Sequence, residues 1–173
     1  MQIIKCGEEH LNAVAEFYDK VTAYLAEHIN YPKWTPGDYP SRESAKNAIT
    51  NGWQYACFDG GKVIGVFVLC EDPQGDYSGG RWSRDLKPDE VLTIHALATD
   101  PTAYHKGIGK AMVRECIAIA NREGKKALRL DAVPTNTPAR RMYESMGFTH
   151  AGTIDLKRGI PEIPEFALYE LNL

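Results

Sequence analysis

Apolar residues recur along this chain with two periods, and each change of period marks a boundary between a strand and a helix. Short apolar or alternating runs predict strands at residues 2–5, 53–58, 62–71, 91–99, 126–132, 148–156 and 166–171. Apolar positions three or four residues apart predict helices at residues 8–28, 41–51, 108–123 and 139–146. Hairpin signals and strand–helix–strand units both occur. We therefore expect one α/β domain over residues 1–173, with a mixed central sheet flanked by helices.

Composition narrows the class of protein. The chain has 173 residues, a formal net charge of -3 and 43% hydrophobic residues, as expected of a soluble globular domain. The small negative charge does not favour nucleic-acid binding, and no apolar run has the length of a membrane span. Four scattered cysteines (Cys6, Cys57, Cys70 and Cys116) form no C-x-x-C pair, so we expect free structural thiols and no metal site. Together these features predict a cytoplasmic protein.

Candidate chemistry begins where the strand at residues 91–99 is followed by a glycine-containing loop and a helix start. The loop reads His105, Lys106, Gly107, Ile108, Gly109, Lys110. First-turn N–H groups of a helix lack intrahelical partners and attract anions, so this loop is either a phosphate site or a packing and turn device. Ala111 after Lys110 excludes a Walker A loop, and Met112 stands where a Rossmann fingerprint needs its third glycine.

A second informative stretch covers residues 136–148. Thr137 followed by Pro138 predicts a helix start with Thr137 as its N-cap. Helical spacing places Asn136, Arg140 and Tyr143 close to one face. A tyrosine in this position is either a packing residue or a catalytic one.

Two loops complete the chemistry-bearing positions. Residues 30–40 contain Tyr31, Trp34 and Tyr39, which either cap the edge of the core or form the wall of a pocket. Residues 72–89 are polar and without periodicity, which predicts a long surface loop with Arg81 and Arg84 in solvent.

Taken together, the two stretches resemble the GNAT superfamily of acetyl-CoA-dependent N-acetyltransferases. The first is similar to that family's central strand and Q/R-x-x-G-x-G/A loop, and the second to its N-x-x-A-x-x-x-Y-E-x-x-G-F region. The matching residues of the second stretch are Asn136, Ala139, Tyr143, Glu144, Gly147 and Phe148. One departure is Tyr104, which stands where the family has Gln or Arg.

The resemblance implies a GNAT fold with splayed central strands and acetyl-CoA as the co-substrate. The residues it implies for binding acetyl-CoA are Leu97, Ala98, Thr99, His105, Lys106, Gly107, Ile108, Gly109, Lys110, Asn136, Arg140 and Tyr143. The pyrophosphate would lie on the N–H groups of residues 106–110, and the pantetheine arm would pair with the backbone of residues 97–99. Lys110, Arg114 or Arg140 could meet the outer phosphate, although solvated helix charges are an equal alternative.

The implied reaction is direct acetyl transfer to an amine of a small molecule or protein. By the family match, Tyr143 would be the general acid that protonates the departing thiolate. His95 is a candidate general base or a structural histidine, while Glu71 and Asp131 are weaker candidates for the base. By family analogy, Tyr31, Trp34 and Tyr39 would shape the acceptor site.

Two other functions stay open: a non-catalytic module that binds or senses acyl-CoA, and a general phosphate-binding α/β protein. A homodimer is also possible. The acceptor amine, the base and the acyl chain length are not specified by the sequence.

Overall fold

The computed structural model describes residues 1–103 and 107–173 of the chain. Its strands are β1 Gln2–Lys5, β2 Gln54–Asp59, β3 Lys62–Cys70, β4 Val91–Thr99, β5 Ala127–Ala132, β6 Thr149–Ile154 and β7 Phe166–Asn172. Its helices are α1 Leu11–Glu27, α2 Arg42–Thr50, α3 Ile108–Arg122 and α4 Thr137–Glu144. Every predicted strand and helix is therefore present. In the two described ranges no helix is long and apolar enough to cross a membrane.

The seven strands pair in the order β1-β2-β3-β4-β5-β7-β6. Strands β4 and β5 are parallel, whereas the pairs β1–β2, β2–β3, β5–β7 and β6–β7 are antiparallel. This confirms the prediction of a mixed α/β sheet flanked by helices.

The chain divides into two compact units. The first contains Met1–Asn30, Trp34–Leu69 and His95–Glu115, and the second contains Tyr31–Lys33, Cys70–Ile94 and Cys116–Leu173. Strand β4 and helix α3 each begin in one unit and end in the other. That residues 1–173 form a single domain stays a prediction, and the two units are described separately.

The first unit is held together by an apolar cluster between helices α1 and α2 and the sheet. Its fully or largely buried members are Cys6, Val14, Phe17, Tyr18, Val21, Ala45, Ile49, Ala56, Val66 and Ala98. Tyr18 and Gln54 add a buried polar link, in which the Tyr18 hydroxyl donates to Gln54 Oε1 at 3.2 Å. The Gln54 amide in turn donates to the Phe67 carbonyl at 3.1 Å, so no polar atom of this pair is left without a partner.

The second unit has a cluster of its own, made of Tyr77, Val133, Ala151, Leu156, Ile163, Phe166 and Leu168. A buried ion pair lies in the same unit, with Arg129 Nη2 2.9 Å from Glu170 Oε2. The Ser83 hydroxyl also donates to Glu170, at 2.7 Å. Burial opposes ionisation of Glu170, but the hydrogen bonds from Ser83 and Arg129 hold its pKa below the usual range.

These contacts modify the prediction that residues 72–89 form a surface loop. The stretch is a loop, as predicted, and Arg81 and Arg84 are exposed. It is not solvated throughout, because Tyr77 is buried in the core of the unit and Trp82 packs against the same cluster. The Arg129 guanidinium lies 4.0 Å above the Trp82 ring, so the loop is tied to the sheet by aromatic and ionic contacts.

Candidate active site

Strand β4 changes conformation in its second half, within the first unit. Its ladder with β5 covers Val91–Ile94, and two residues later Ala96 has a φ of 46°. A non-glycine residue in the left-handed region is uncommon inside a strand and is found where a bulge re-aims the backbone, often near functional sites. The following residues are Leu97, half-buried, Ala98, buried in the apolar cluster, and Thr99, exposed. The predicted splaying of β4 from β5 stays a prediction.

The turn after β4 is braced by the Asp100 carboxylate. Asp100 Oδ1 accepts hydrogen bonds from the Thr102 amide at 2.8 Å and the Thr102 hydroxyl at 2.7 Å. Asp100 Oδ2 forms an ion pair with Lys20 at 2.7 Å. Partial burial opposes ionisation, but the hydrogen bonds from Lys20 and Thr102 hold the pKa of Asp100 below its usual range. The chain therefore leaves β4 in a defined direction.

Tyr104, His105 and Lys106 lie outside the described residues, so the binding predicted for His105 and Lys106 stays a prediction. The description resumes at Gly107, which is exposed and has a φ of 68°. A Cβ added at Gly107 would meet no described atom within 4 Å, so glycine is needed here for the left-handed backbone and not for lack of space.

Helix α3 starts directly after this glycine. The Gly107 carbonyl accepts from the Ala111 amide at 2.9 Å. The N–H groups of residues 108–110 precede this first helical donor and have no partner within the helix. The first turn is anchored on β3 at Gly65, where an added Cβ would lie 2.9 Å from Met112 Sδ and 3.1 Å from Ile108 Cγ2. Lys110 and Arg114 are exposed. The helix start therefore presents backbone donors and positive charge in a fixed position.

In the second unit, Asn136 is the N-cap of α4. Its Oδ1 accepts from the Ala139 amide at 3.4 Å. The prediction that Thr137 is the cap is therefore wrong, because Thr137 already belongs to the helix and the residue before it has the more suitable side-chain amide. Within residues 1–103 and 107–173, the Asn136 Nδ2 group donates no hydrogen bond, so it is available to a ligand.

Tyr143, on the same helix, is buried, with 6% of its surface exposed. Its ring packs edge-on against Phe148, with the ring centroids 5.7 Å apart. The Tyr143 hydroxyl makes no hydrogen bond with another residue that the structure describes. Burial raises the pKa of Tyr143, and the nearby Cys116 and Asp131 raise it further, so the phenol stays protonated at neutral pH. A protonated hydroxyl whose hydrogen is not used by the protein is suited to donate a proton to a ligand.

The weaker candidates for the base are engaged elsewhere. Asp131 accepts hydrogen bonds from Arg158 Nη1 at 2.8 Å and Nη2 at 2.7 Å, and from the Tyr77 hydroxyl at 2.7 Å. Glu71 is exposed and forms an ion pair with Lys125. These bonds occupy both carboxylates and favour structural roles for both residues. His95 is buried and already interacts with another group of the protein, and its role as a base stays a prediction.

In the aromatic loop of the first unit, the side chain of Asn30 binds the backbone of Trp34. Asn30 Nδ2 donates to the Trp34 carbonyl at 2.7 Å, and the Trp34 amide donates to Asn30 Oδ1 at 3.0 Å. Trp34 packs against the apolar cluster and meets Tyr39 edge-on, with centroids 6.3 Å apart, while Tyr39 is 40% exposed. Trp34 therefore caps the core, and the role of Trp34 and Tyr39 at an acceptor site stays a prediction. Tyr31 belongs to the second unit, and its role at the acceptor site stays a prediction.

Reasoning from the sequence did not single out Tyr77, Arg158 or Tyr169. Tyr77 could have been noticed as a large aromatic residue in a polar stretch, by the same logic that identified Trp34. The partners of Arg158 and Tyr169 are distant in sequence, so no local pattern indicates them. Among the residues that the structure describes, no group of three or more His, Cys, Asp or Glu side chains could hold a metal ion.

The acetyltransferase (GNAT) family model matches residues 14–148 of this chain. Mycothiol acetyltransferase of Geodermatophilus obscurus is 28% identical over 135 residues, which are 78% of this chain and 41% of that protein. The chain spans about two fifths of the length of that protein and of the mycothiol acetyltransferase of Thermomonospora curvata.

Solved structures show the same fold. A GNAT-family acetyltransferase from Streptococcus agalactiae 2603 has a TM-score of 0.79 at 16% identity, covering 99% of this chain and 95% of that one. A Salmonella typhimurium protein solved with its cofactor acetyl-CoA has a TM-score of 0.67 at 16% identity, covering 100% of this chain and 94% of that one. On the family match over most of its length, the chain belongs to the GNAT family of acetyltransferases.

Proposed function

We propose that this chain transfers the acetyl group of acetyl-CoA directly to a primary amine of a small molecule or protein. The observation that carries the proposal is the start of helix α3, where left-handed Gly107 leads into three backbone N–H groups without helical partners. An acetyl-CoA complex of a protein with the same fold supports the choice of ligand.

Three groups of this chain fit different parts of acetyl-CoA. The N–H groups at residues 108–110 suit the pyrophosphate, with His105, Lys106 and Lys110 adding polarity and charge. The backbone of residues 97–99 suits the amides of the pantetheine arm. The unused Asn136 Nδ2 group would donate to the same arm. Arg140 is a further candidate for the outer phosphate.

Acetyl-CoA supplies an activated acetyl thioester, and the protein orients it and moves protons. The neutral amine forms the new C–N bond as the C–S bond breaks, and the amine proton passes to a base, for which His95 is the candidate. Backbone N–H groups at Leu97 and Ala98 would stabilise the developing oxyanion. The departing thiolate takes the proton of Tyr143, which burial keeps protonated. No covalent enzyme intermediate is required.

The acceptor would meet the aromatic loop that contains Trp34 and Tyr39. Asn30 holds this loop in one conformation, so the exposed part of the Tyr39 ring is presented at little entropic cost. Tyr31 remains a candidate for the same site.

Ligand-dependent melting tests the cofactor. Acetyl-CoA, CoA, ATP and NAD are each added at equal concentration, and a ligand that binds the native state raises the melting temperature by mass action. We expect a shift with acetyl-CoA and with CoA alone. Stabilisation by ATP instead would support a general phosphate-binding protein, and no shift with either CoA species would refute the proposal.

A panel of amines then tests for turnover. Spermidine, glutamate, glucosamine and an alanine-initiated peptide are incubated with acetyl-CoA, and release of CoA is followed with a thiol reagent. The protein's own thiols should add little signal, because burial raises the pKa of Cys6 to about 12 and that of Cys70 to about 11. Tight CoA binding without transfer to any amine, here or in wider screens, would favour a sensing module instead of an enzyme.

A further inference from the structure

Tyr169 lies on β7 in the second unit, and none of its surface is exposed. Its hydroxyl accepts a hydrogen bond from Arg140 Nε at 2.8 Å and donates one to Glu144 Oε1 at 2.8 Å. Arg140 and Glu144 are four residues apart on α4, so they lie on one face of that helix. One buried hydroxyl therefore bridges a cation and an anion of the same helix.

Arg140 extends this network to the segment before the helix. Its Nη1 donates to the Pro134 carbonyl at 2.7 Å. The Tyr169 hydroxyl is thereby linked to the approach, the middle and the end of α4. The helix has eight residues, and a helix this short is not stable without tertiary contacts. Its orientation consequently depends on these bonds.

The position of the Tyr143 hydroxyl depends on the orientation of α4. It is the buried residue of α4, and its ring centroid lies 6.5 Å from that of Tyr169. Because its hydroxyl makes no hydrogen bond with another described residue, the protein fixes the hydroxyl only through packing of the ring and the position of the helix. A small rotation of α4 would therefore move the Tyr143 hydroxyl, because no hydrogen bond to a described residue holds that hydroxyl in place.

We propose that Tyr169 is a positioning residue for acetyl transfer: through Arg140 and Glu144 it holds helix α4 in the orientation that aims the Tyr143 hydroxyl at the reacting atoms. This inference rests on the proposed role of Tyr143 as the proton donor. It also gives the Arg140 Nε and Nη1 groups a role in holding the helix and the segment before it.

The kinetic test is a double-mutant cycle with Tyr169→Phe and Tyr143→Phe. Tyr169→Phe keeps the buried ring and removes the bridging oxygen. It should lower kcat about 10-fold, since misplacing a catalytic group by an ångström can cost up to about 100-fold. The KM for acetyl-CoA should stay within about two-fold. In the Tyr143→Phe background, Tyr169→Phe should have almost no further effect, because the group that it positions is already absent.

Glu144 supplies the matched pair of variants. Glu144→Gln keeps an acceptor oxygen for the Tyr169 hydroxyl and should retain kcat, whereas Glu144→Ala should reproduce the loss seen with Tyr169→Phe. In the double-mutant cycle, an equal loss of kcat from Tyr169→Phe in the wild-type protein and in Tyr143→Phe would overturn the positioning role. Tyr169 would then have a general structural role. If Tyr143→Phe alone retains full turnover, the proton-donor role fails and Tyr169 has no catalytic role through it. Whether Tyr169 fixes the position of Tyr143 is then decided by fluorine NMR.

Fluorine NMR supplies a readout that needs no turnover. The nine tyrosines are replaced with fluorotyrosine, and the Tyr143 resonance is assigned by its loss in Tyr143→Phe. Tyr169→Phe should shift or broaden that resonance. The control is Tyr18→Phe, which removes another buried, hydrogen-bonded hydroxyl in the first unit and should leave the Tyr143 resonance in place. An unmoved Tyr143 resonance in Tyr169→Phe would show that Tyr169 does not position it.

Discussion

Two strand–loop–helix segments contain the residues of the proposed site, and they present different kinds of group. The segment from β4 to α3 presents backbone groups: a left-handed Ala96, a left-handed Gly107 and the free N–H groups of a helix start. The segment from β5 to α4 presents side chains, namely the amide of Asn136 and the hydroxyl of Tyr143. A backbone site tolerates changes of side chain, whereas a side-chain site does not.

The two helices are also held in different ways. Helix α3 has 15 residues and a buried stripe of Ile108, Met112, Cys116 and Ile119. Helix α4 has eight residues, of which Tyr143 is buried, and it is held by its cap and by the bonds to Tyr169. Burial of apolar area is non-directional, but hydrogen bonds specify an orientation. In the proposed site, α3 binds a phosphate through its first turn, for which burial of its apolar stripe is sufficient. Helix α4 has to orient the Tyr143 hydroxyl, for which directional hydrogen bonds are better suited.

The largest effect expected from this contrast is on Tyr143. Tyr143→Phe keeps the packing with Phe148 but removes the proton, and general acids contribute about 100-fold or more to turnover. We expect kcat to fall by that amount while the affinity for acetyl-CoA, measured by calorimetry, stays nearly unchanged. Equal turnover by the variant at every pH tested would remove Tyr143 from the mechanism. A loss of affinity without a loss of kcat would make it a binding residue.

A substitution at Gly107 tests whether the backbone at the start of α3 binds CoA. Gly124, at the other end of the same helix, supplies the control. Gly107 precedes α3 and Gly124 follows it, with φ values of 68° and 69°, and an added Cβ at either would meet no described atom within 4 Å. Glutamate therefore introduces the same backbone strain and the same charge at the two ends.

Gly107→Glu should weaken CoA binding by about 10-fold or more, equivalent to ~1.4 kcal/mol, because it places a negative charge beside the phosphate donors. Gly124→Glu should lower the melting temperature at least as much, because a negative charge is unfavourable at a helix C-terminus, but without that loss of affinity. Unchanged CoA affinity in Gly107→Glu, or an equal loss in both variants, would place the phosphates elsewhere.

Local signals account for what could be predicted from the sequence. The buried stripe of α3 and the turn glycines specify their elements by spacing and backbone conformation, so Gly124 ends α3 as expected. The GNAT motifs likewise identify Tyr143 and Asn136, since each lies within a short, recognisable stretch. Secondary-structure elements and sequence motifs can therefore be predicted, because both depend on residues that are close in sequence.

Long-range pairing accounts for what could not be predicted. Asp131 looked like a possible base at a strand end, but Arg158 and Tyr77, from two distant loops, bind its carboxylate. Arg140 is a candidate for the outer phosphate, and its sequence context does not show that its guanidinium donates to Tyr169 on strand β7. A charged residue can be recognised from its sequence context, whereas the partner that decides its role becomes visible only when the chain is folded.

Asn136 caps α4 through Oδ1 and, in the proposed site, donates to CoA through Nδ2. Its variants should separate these two roles, with a smaller effect than the changes above. Asn136→Ala should cost about 1 kcal/mol of stability, because α4 loses its cap. Asn136→Ser keeps a capping oxygen and should recover most of that stability, but it lacks the Nδ2 donor. If Nδ2 binds the CoA arm, both variants should weaken CoA binding by several-fold, about the value of one hydrogen bond. Full affinity in Asn136→Ser would limit Asn136 to the cap.

The smallest expected effect concerns pH, and its direction follows from burial of Tyr143. Burial raises the pKa of this phenol above the ordinary tyrosine value, so the acid form persists as the pH rises and is lost only beyond the raised pKa. We therefore expect kcat to stay level from about pH 8 to about pH 10, the range in which an ordinary phenol begins to ionise. Circular dichroism must accompany the rates, because above about pH 10 the unfolded chain releases tyrosine protons that the folded chain retains, which lowers the free energy of unfolding. A fall of kcat within that range, in protein that remains folded, would mean that the proton donor has a lower pKa than a buried tyrosine. The role of general acid would then have to be assigned to a residue other than Tyr143.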